Sequence, residues 1–247
     1  MKYIWRVLVI VLCVLIVIGI GFMGTILPQR SNSLFVEWGG EMKLVQETDF
    51  DLSKVDKINI DFGSEEVVIL PSESDQLEMK QYMNYEPSER ELATLWRTGN
   101  TLDIKQGERD FILFSSFGKR ERVEIYLPEF YQDALKIEIG SGSLRIDQDM
   151  TLTDFDLELH SGNVTTESIV AEEIKVELSS GKITIGQLIG EQDVKVSSGH
   201  LSIQKSTGNG KYQCSSGQMD VGVSELLGDM DVEVMSGKCE ITLPEDA

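Results

Sequence analysis

Six serines, each followed by glycine, are the residues of this 247-residue chain most open to a chemical reading: Ser141-Gly142, Ser161-Gly162, Ser180-Gly181, Ser198-Gly199, Ser216-Gly217 and Ser236-Gly237. A serine nucleophile needs a base for its proton, a third group to orient that base, and a sharp elbow to present the hydroxyl. No His or acid constellation accompanies any of the six, and Gly140-Ser141-Gly142 lies between apolar-alternating runs rather than ahead of a helical pattern. Ser179 and Lys182, like Ser202 and Lys205, match a Ser-x-x-Lys spacing. That chemistry sets the Lys one helical turn from the Ser, whereas here the pair spans a turn or a strand. His160 and His200 fall two periods apart at different positions, about 10 Å at the spacing of stacked strands, too far to share a zinc ion without other ligands. Carboxylates remain. Asp147, Asp149, Asp154 and Asp156 gather at one corner and Glu167, Glu172 and Glu173 at the next. The four Asp are weak Ca²⁺ candidates, since the Gly-Gly-x-Gly-x-Asp repeat that binds Ca²⁺ in solenoids is missing. β-Helical polysaccharide lyases also use acidic clusters with basic residues, which keeps a carbohydrate-active enzyme as a remote alternative. The expectation is no catalytic residue and no cofactor.

The elements that carry these residues follow from their period. The steps between the six glycines are 20, 19, 18, 18 and 20 residues, and a fixed period near twenty marks a stacked repeat. Counting from each Gly, the −3 column reads Ile139, Leu159, Leu178, Val196, Cys214 and Val234, and the +2 column Leu144, Val164, Ile183, Leu201, Met219 and Cys239. Alternation on both sides of a Ser-Gly turn predicts two short strands with one buried face. Gly there suits a turn with φ > 0, and Ser can hydrogen-bond the local backbone. A second corner falls half a period later, at 186–190, 208–210 and 222–228. The fold class predicted is all-β, a single-stranded β-solenoid with rungs of 18–20 residues. One outward column supports the register independently. At −6 stand Lys136, Asp156, Lys175, Asp193, Lys211 and Asp231, so every member faces an opposite charge if the rungs stack in register. This ladder is read as structural. Cys214 and Cys239 both lie in inward columns and read as small buried hydrophobes; their different columns argue against a disulfide.

Ahead of the repeats, residues 7–27 form an uncharged stretch long enough to cross a bilayer as a helix. Lys2 and Arg6 precede it and all 42 Asp and Glu follow it, leaving 20 basic against 42 acidic side chains beyond the span, a formal charge of −22. The expected organisation is a cytoplasmic N-terminus at 1–6, an uncleaved transmembrane anchor at 7–27, a polar stalk at 28–50 and an extracytoplasmic domain at 51–247. Cys13 is read as a membrane-buried thiol. The charge argues against nucleic acid as a partner. Within 51–134 irregular rungs and hairpins are expected. Ile58, Ile60 and Phe62 before Gly63-Ser64 resemble a degenerate first rung. A hairpin is expected around Thr98-Gly99-Asn100, with a helix over 88–96 as its alternative, and another between Phe111–Phe114 and Arg122–Leu127. Phe111, Phe114 and Phe117 read as a cap on the apolar end or a contact patch. The regular repeats occupy 135–247.

The stretch Arg122-Val-Glu-Ile-Tyr-Leu-Pro, then Leu135-Lys-Ile-Glu-Ile-Gly-Ser-Gly-Ser-Leu-Arg-Ile, then the Ser-Ser-Gly periods, resembles the bacterial "putative adhesin" family of unknown function, which includes LiaG-like membrane-anchored proteins of toast-rack type. The likeness covers about residues 45–247. It implies a β-solenoid facing the cell envelope, often in stress-response settings, with no established enzymatic activity. In one departure, the chain ends at Glu240-Ile-Thr-Leu-Pro-Glu-Asp-Ala, where relatives continue through more strand. Closure by Leu243-Pro244, truncation or a covering partner would each account for it. The function expected is a non-enzymatic, membrane-anchored interaction module of the cell envelope, with an envelope protein or wall component as partner; a surface adhesin is the alternative.

Overall fold

The computed structural model describes residues 40–108 and 118–244; the expected anchor at 7–27, Cys13, Phe111, Phe114 and Phe117 lie outside the described residues. Fifteen strands form one continuous sheet wound into a β-solenoid. They are β1 (Lys43–Asp51), β2 (Lys57–Phe62), β3 (Glu66–Ser72), β4 (Gln76–Met83), β5 (Thr94–Thr98), β6 (Thr101–Lys105), β7 (Glu121–Pro128), β8 (Ala134–Ile139), β9 (Ser143–Ile146), β10 (Met150–Leu159), β11 (Asn163–Leu178), β12 (Lys182–Val196), β13 (His200–Cys214), β14 (Gln218–Val234) and β15 (Lys238–Thr242). Strands β11 to β14 are long because each runs from one Ser-Gly bend round the far corner to the next. No helix long and apolar enough to cross a membrane lies among the described residues.

The repeats stack in parallel and in the register the columns require. Ile137 lies beside Leu157, Leu157 beside Val176, and Val176 beside Val194. Inward side chains of successive coils therefore meet, and Leu159, Val176, Ile183, Ile185 and Leu201 are fully buried. Each such burial stabilises by about 1.5–3 kcal/mol before the entropy of ordering the chain is charged against it. The far corner carries a different solution. Gly190 and Gly208 stack on each other with φ of +143° and +140°. A side chain at Gly208 would overlap the Gly190 carbonyl oxygen.

Chain order and spatial order part company in the first half. The β2–β3 coil lies between two others: Ile60 meets Ile137 on one side and Ile104 on the other, and Ile69 meets Ile146 and Ile125. The β6–β7 coil thus sits outside β2–β3, although it follows it in sequence. Antiparallel strands then cover that end. β4 takes the free edge of β7, β1 takes that of β4, and β5 takes that of β6. Reversing direction at the last strand ends the parallel stack, one way a solenoid closes an edge that would otherwise invite pairing.

Two expectations change. The part of the expected stalk from Lys43 onward is strand β1, because Phe50 packs against the core and β4 supplies a ladder partner; residues 28–39 lie outside the described residues. β7 is bonded by β3 and β4 on its two edges; the Phe111–Phe114 half of the hairpin expected with it lies outside the described residues. The helix considered over 88–96 is reduced to one 3₁₀ turn at Glu89–Glu91, followed by β5, which forms the expected hairpin with β6 around Gly99.

At the opposite end, the last coil has no neighbour on its outer side among the described residues. Column positions buried in every earlier coil become exposed there: Val234 is 43% and Val232 39% accessible, and Met235 on the bend, a position never buried in earlier coils, is 70%.

Candidate functional site

The Ser-Gly bends line up along one edge of the solenoid and form a shallow groove of about 680 Å³ from Ser180 to Lys238. Its chemistry is already committed. The Ser180 amide donates to the His160 carbonyl at 2.7 Å, Ser198 to Ser179 at 2.8 Å, and Ser216 to Ser197 at 2.7 Å. The amides that follow the glycines continue the pattern, His200 donating to Gly181 and Gln218 to Gly199. Each of these N–H groups is bonded to the coil before and is not available as an oxyanion-type donor. The reason for glycine also differs from the sequence expectation. None of these six adopts a positive φ. Each is instead pressed against the preceding bend, so that a Cβ at Gly162 would overlap the Gly142 carbonyl and one at Gly217 would come within 2.5 Å of the Gly199 oxygen. Close stacking, not turn handedness, demands Gly at Gly142, Gly162, Gly181, Gly199, Gly217 and Gly237.

The two histidines flank this row, and each meets a carboxylate. His160 Nε2 lies 3.3 Å from Glu138 Oε1 and 3.7 Å from Glu158. His200 Nε2 lies 3.0 Å from Asp220 Oδ2. No three His, Cys, Asp or Glu side chains among the described residues converge to hold a metal ion. The four Asp singled out for Ca²⁺ are used separately. Asp147 pairs with Arg145 at 2.9 Å, Asp149 is exposed, Asp156 joins the ladder, and Asp154 faces a second groove.

That second groove, about 850 Å³, runs beside the far corner along the face of five successive coils, β10 to β14. Its floor is the ladder, whose members lie opposite one another in register: Lys136 with Asp156, Asp156 with Lys175, Lys175 with Asp193, Asp193 with Lys211, and Lys211 with Asp231. Asp156 takes Lys136 at 3.6 Å and Lys175 at 3.9 Å. Farther along, same-strand partners compete, and Asp193 is held by Lys195 at 2.9 Å. Partial burial pulls the Lys175 pKa down, but hydrogen bonding to Glu177 and the nearby Asp156 charge outweigh it, and the net shift is upward.

Two residues toward the corner the charge pattern changes. Asp154 stacks on Glu173, Glu173 on Glu191, and Glu191 on Asn209. Three carboxylates in a row face the groove, and none forms an ion pair among the described residues. Like charges opposite each other destabilise a sheet, so this column costs stability that the ladder beside it does not. Sequence reasoning placed Asp154 and Glu173 at separate corners; in the structure each lies eight residues before its bend glycine and the two stack directly, with Glu191 next in the same row. Beneath the groove floor, Gln192, Ser206 and Tyr212 form a buried polar cluster. The Tyr212 hydroxyl donates to Gln192 Oε1 at 2.6 Å and Ser206 Oγ donates to the same oxygen at 3.0 Å. Burial raises the Tyr212 pKa, partly offset by Ser206. The cluster braces the Gly190–Gly208–Gly210 corner from inside, Gln192 also donating to the Thr207 carbonyl at 3.3 Å.

Comparison with solved structures finds the same architecture. A "putative adhesin" from Bacteroides fragilis aligns with a TM-score of 0.50 at 14% identity, covering 82% of this chain and 97% of that one. A "putative cell adhesion protein" from Clostridium sporogenes gives 0.46 at 14% identity, covering 83% and 100%. A "putative lipid binding protein" from Parabacteroides distasonis gives 0.41 at 16% identity, covering 79% and 96%. At these identities the likeness is one of fold. No curated protein matches the chain. A family model matches from residue 55 to residue 247, the whole run of coils from β2 onward, and on that match the chain belongs to the Toastrack DUF4097 family.

Proposed function

We propose that the protein is a membrane-anchored, extracytoplasmic interaction module of the bacterial cell envelope that acts by non-covalent contact rather than catalysis. The observation that carries this reading is the charged groove. Along successive coils the Lys/Asp ladder is neutralised within the fold, while the adjoining Asp154–Glu173–Glu191 column presents carboxylates to solvent with no counter-charge of its own. Such a surface favours a partner carrying cationic groups, an envelope protein or a wall component, and deters polyanions. The apolar run over 7–27, with Lys2 and Arg6 ahead of it, supports anchoring with the coils outside. A link to envelope stress follows the family resemblance.

The test is site-specific photo-cross-linking in intact cells from Glu173, Glu191 and Asn209, with Gln213 on the neighbouring surface as the control. The reading expects a discrete adduct from the groove positions, lost when Glu173 and Glu191 are both changed to Gln. Equal yield from all four positions would count against it. Adhesion is the second reading, favoured by the fold shared with the Bacteroides fragilis protein. It predicts that deleting the gene lowers cell attachment.

A further inference from the structure

Cys214 and Cys239 occupy different columns of different coils, yet the bend brings them to one corner. Cys214 is buried, and its thiol donates to the Gly217 carbonyl at 3.3 Å. The same sulfur lies 3.7 Å from the carbonyl oxygen of Lys238, the residue bonded to Cys239. It also occupies the space under the last bend, where a Cβ on Gly237 would come within 2.6 Å of it. Cys239 is half-buried and begins the inward +2 position of the terminal coil, packed against the same core. Its thiol is pushed up by burial first and by Cys214 next. Both are free thiols.

We propose that Cys214 and Cys239 form a redox pair that closes into an intramolecular disulfide stapling the terminal coil to the one beneath it. The last coil is where such a staple acts: among the described residues its Val232 and Val234 are exposed where the matching positions of earlier coils are buried. A low-molecular-weight disulfide serves as the oxidant. Cys239, the more accessible thiol, loses its proton and attacks one sulfur of that disulfide, and one small thiol leaves. Cys214 then loses its proton and attacks the Cys239 sulfur, expelling the second small thiol. Two protein thiols are oxidised, one external disulfide is reduced to two thiols, and the core loses no side chain.

The experiment uses the full chain in detergent, incubated with oxidised glutathione, alkylated and mapped by mass spectrometry. The expected result is loss of two of the three thiols, a mass lower by about 2 Da with no adduct, and a peptide joining Cys214 to Cys239. Limited proteolysis should then cut the segment from Met235 to Thr242 several-fold more slowly than in the reduced protein. Cys239→Ser should abolish both changes while keeping the β-rich circular dichroism. Three thiols still free, a persistent glutathione adduct on Cys239, or pairing with Cys13 would each overturn the proposal.

Discussion

Reversing one charge in each of two neighbouring columns should move stability in opposite directions. Lys175→Glu would place a carboxylate between Asp156 and Asp193 and beside Glu177, replacing contacts of 3.9 Å to Asp156 and 3.2 Å to Glu177 by repulsion. Glu173→Lys would place a cation between Asp154 and Glu191, replacing two repulsions by attractions. At the roughly 4.8 Å between strands, a pair of unit charges in water interacts by about 0.9 kcal/mol, or about 0.5 at physiological ionic strength. Reversal changes the sign, so each in-column neighbour contributes a swing of about 1 kcal/mol at most. Both substituted sites are accessible, Lys175 at 42% and Glu173 exposed, so side-chain freedom reduces this. We expect Lys175→Glu to lower Tm by about 2–6 °C and Glu173→Lys to raise it by about 1–4 °C, at roughly 2–4 °C per kcal/mol for a domain of this size. Thermal unfolding followed by circular dichroism measures both. In about 1 M salt, where the screening length falls to about 3 Å, the two shifts should largely vanish. Shifts of the same sign, or shifts indifferent to salt, would refute the register argument.

Two further perturbations address other parts of the fold. Gly181→Ala should cost about 1–3 kcal/mol in urea denaturation, because the added methyl overlaps the Gly162 carbonyl. Gly99→Ala, at φ +63° but in open space, should cost only about 1 kcal/mol; equal costs would mean that the bends are not packed this closely. Near the closed end, the Ser88 amide donates to Glu91 at 2.8 Å and Lys119 lies 3.1 Å away, and together they hold the Glu91 pKa down at about 2 against 4.5. A depressed carboxyl stabilises the fold above its unfolded pKa and loses that contribution as pH falls toward the folded value. Between about pH 5 and pH 2.5, the urea midpoint of Glu91→Gln should therefore fall less than that of the natural protein.

Much of the architecture is legible from spacing alone, for a physical reason. A stacked coil repeats its inward positions at one period, so Leu159, Leu178 and Val196 announce both the fold and its register, as does the Lys/Asp column outside them. The first half resists reading because alternation is the same in parallel and antiparallel strands. Nothing in Leu77–Met83 says that it runs against β7, and nothing in Thr101–Lys105 says that it lies outside β2. The glycines of the bends illustrate a second limit. Positive φ and close packing both demand Gly, and only coordinates separate Gly99 and Gly208 from Gly181. The acidic column, eight residues before each bend glycine, is harder to read because an outward position near a corner carries no hydrophobic signal, and only the stacking puts Asp154, Glu173 and Glu191 in one row.

The proposed anchoring, with the chain's own N-terminal segment holding an acidic solenoid outside a membrane, is tested most directly by protease accessibility. Intact spheroplasts carrying the full chain would be treated with an external protease, fractionated, and probed for a tag placed after Ala247. The account predicts that the protein pellets with membranes, resists extraction by high salt and alkali, and loses the tag to external protease without cell lysis. Recovery in the soluble cytoplasmic fraction, or a tag protected until the cells are lysed, would contradict it.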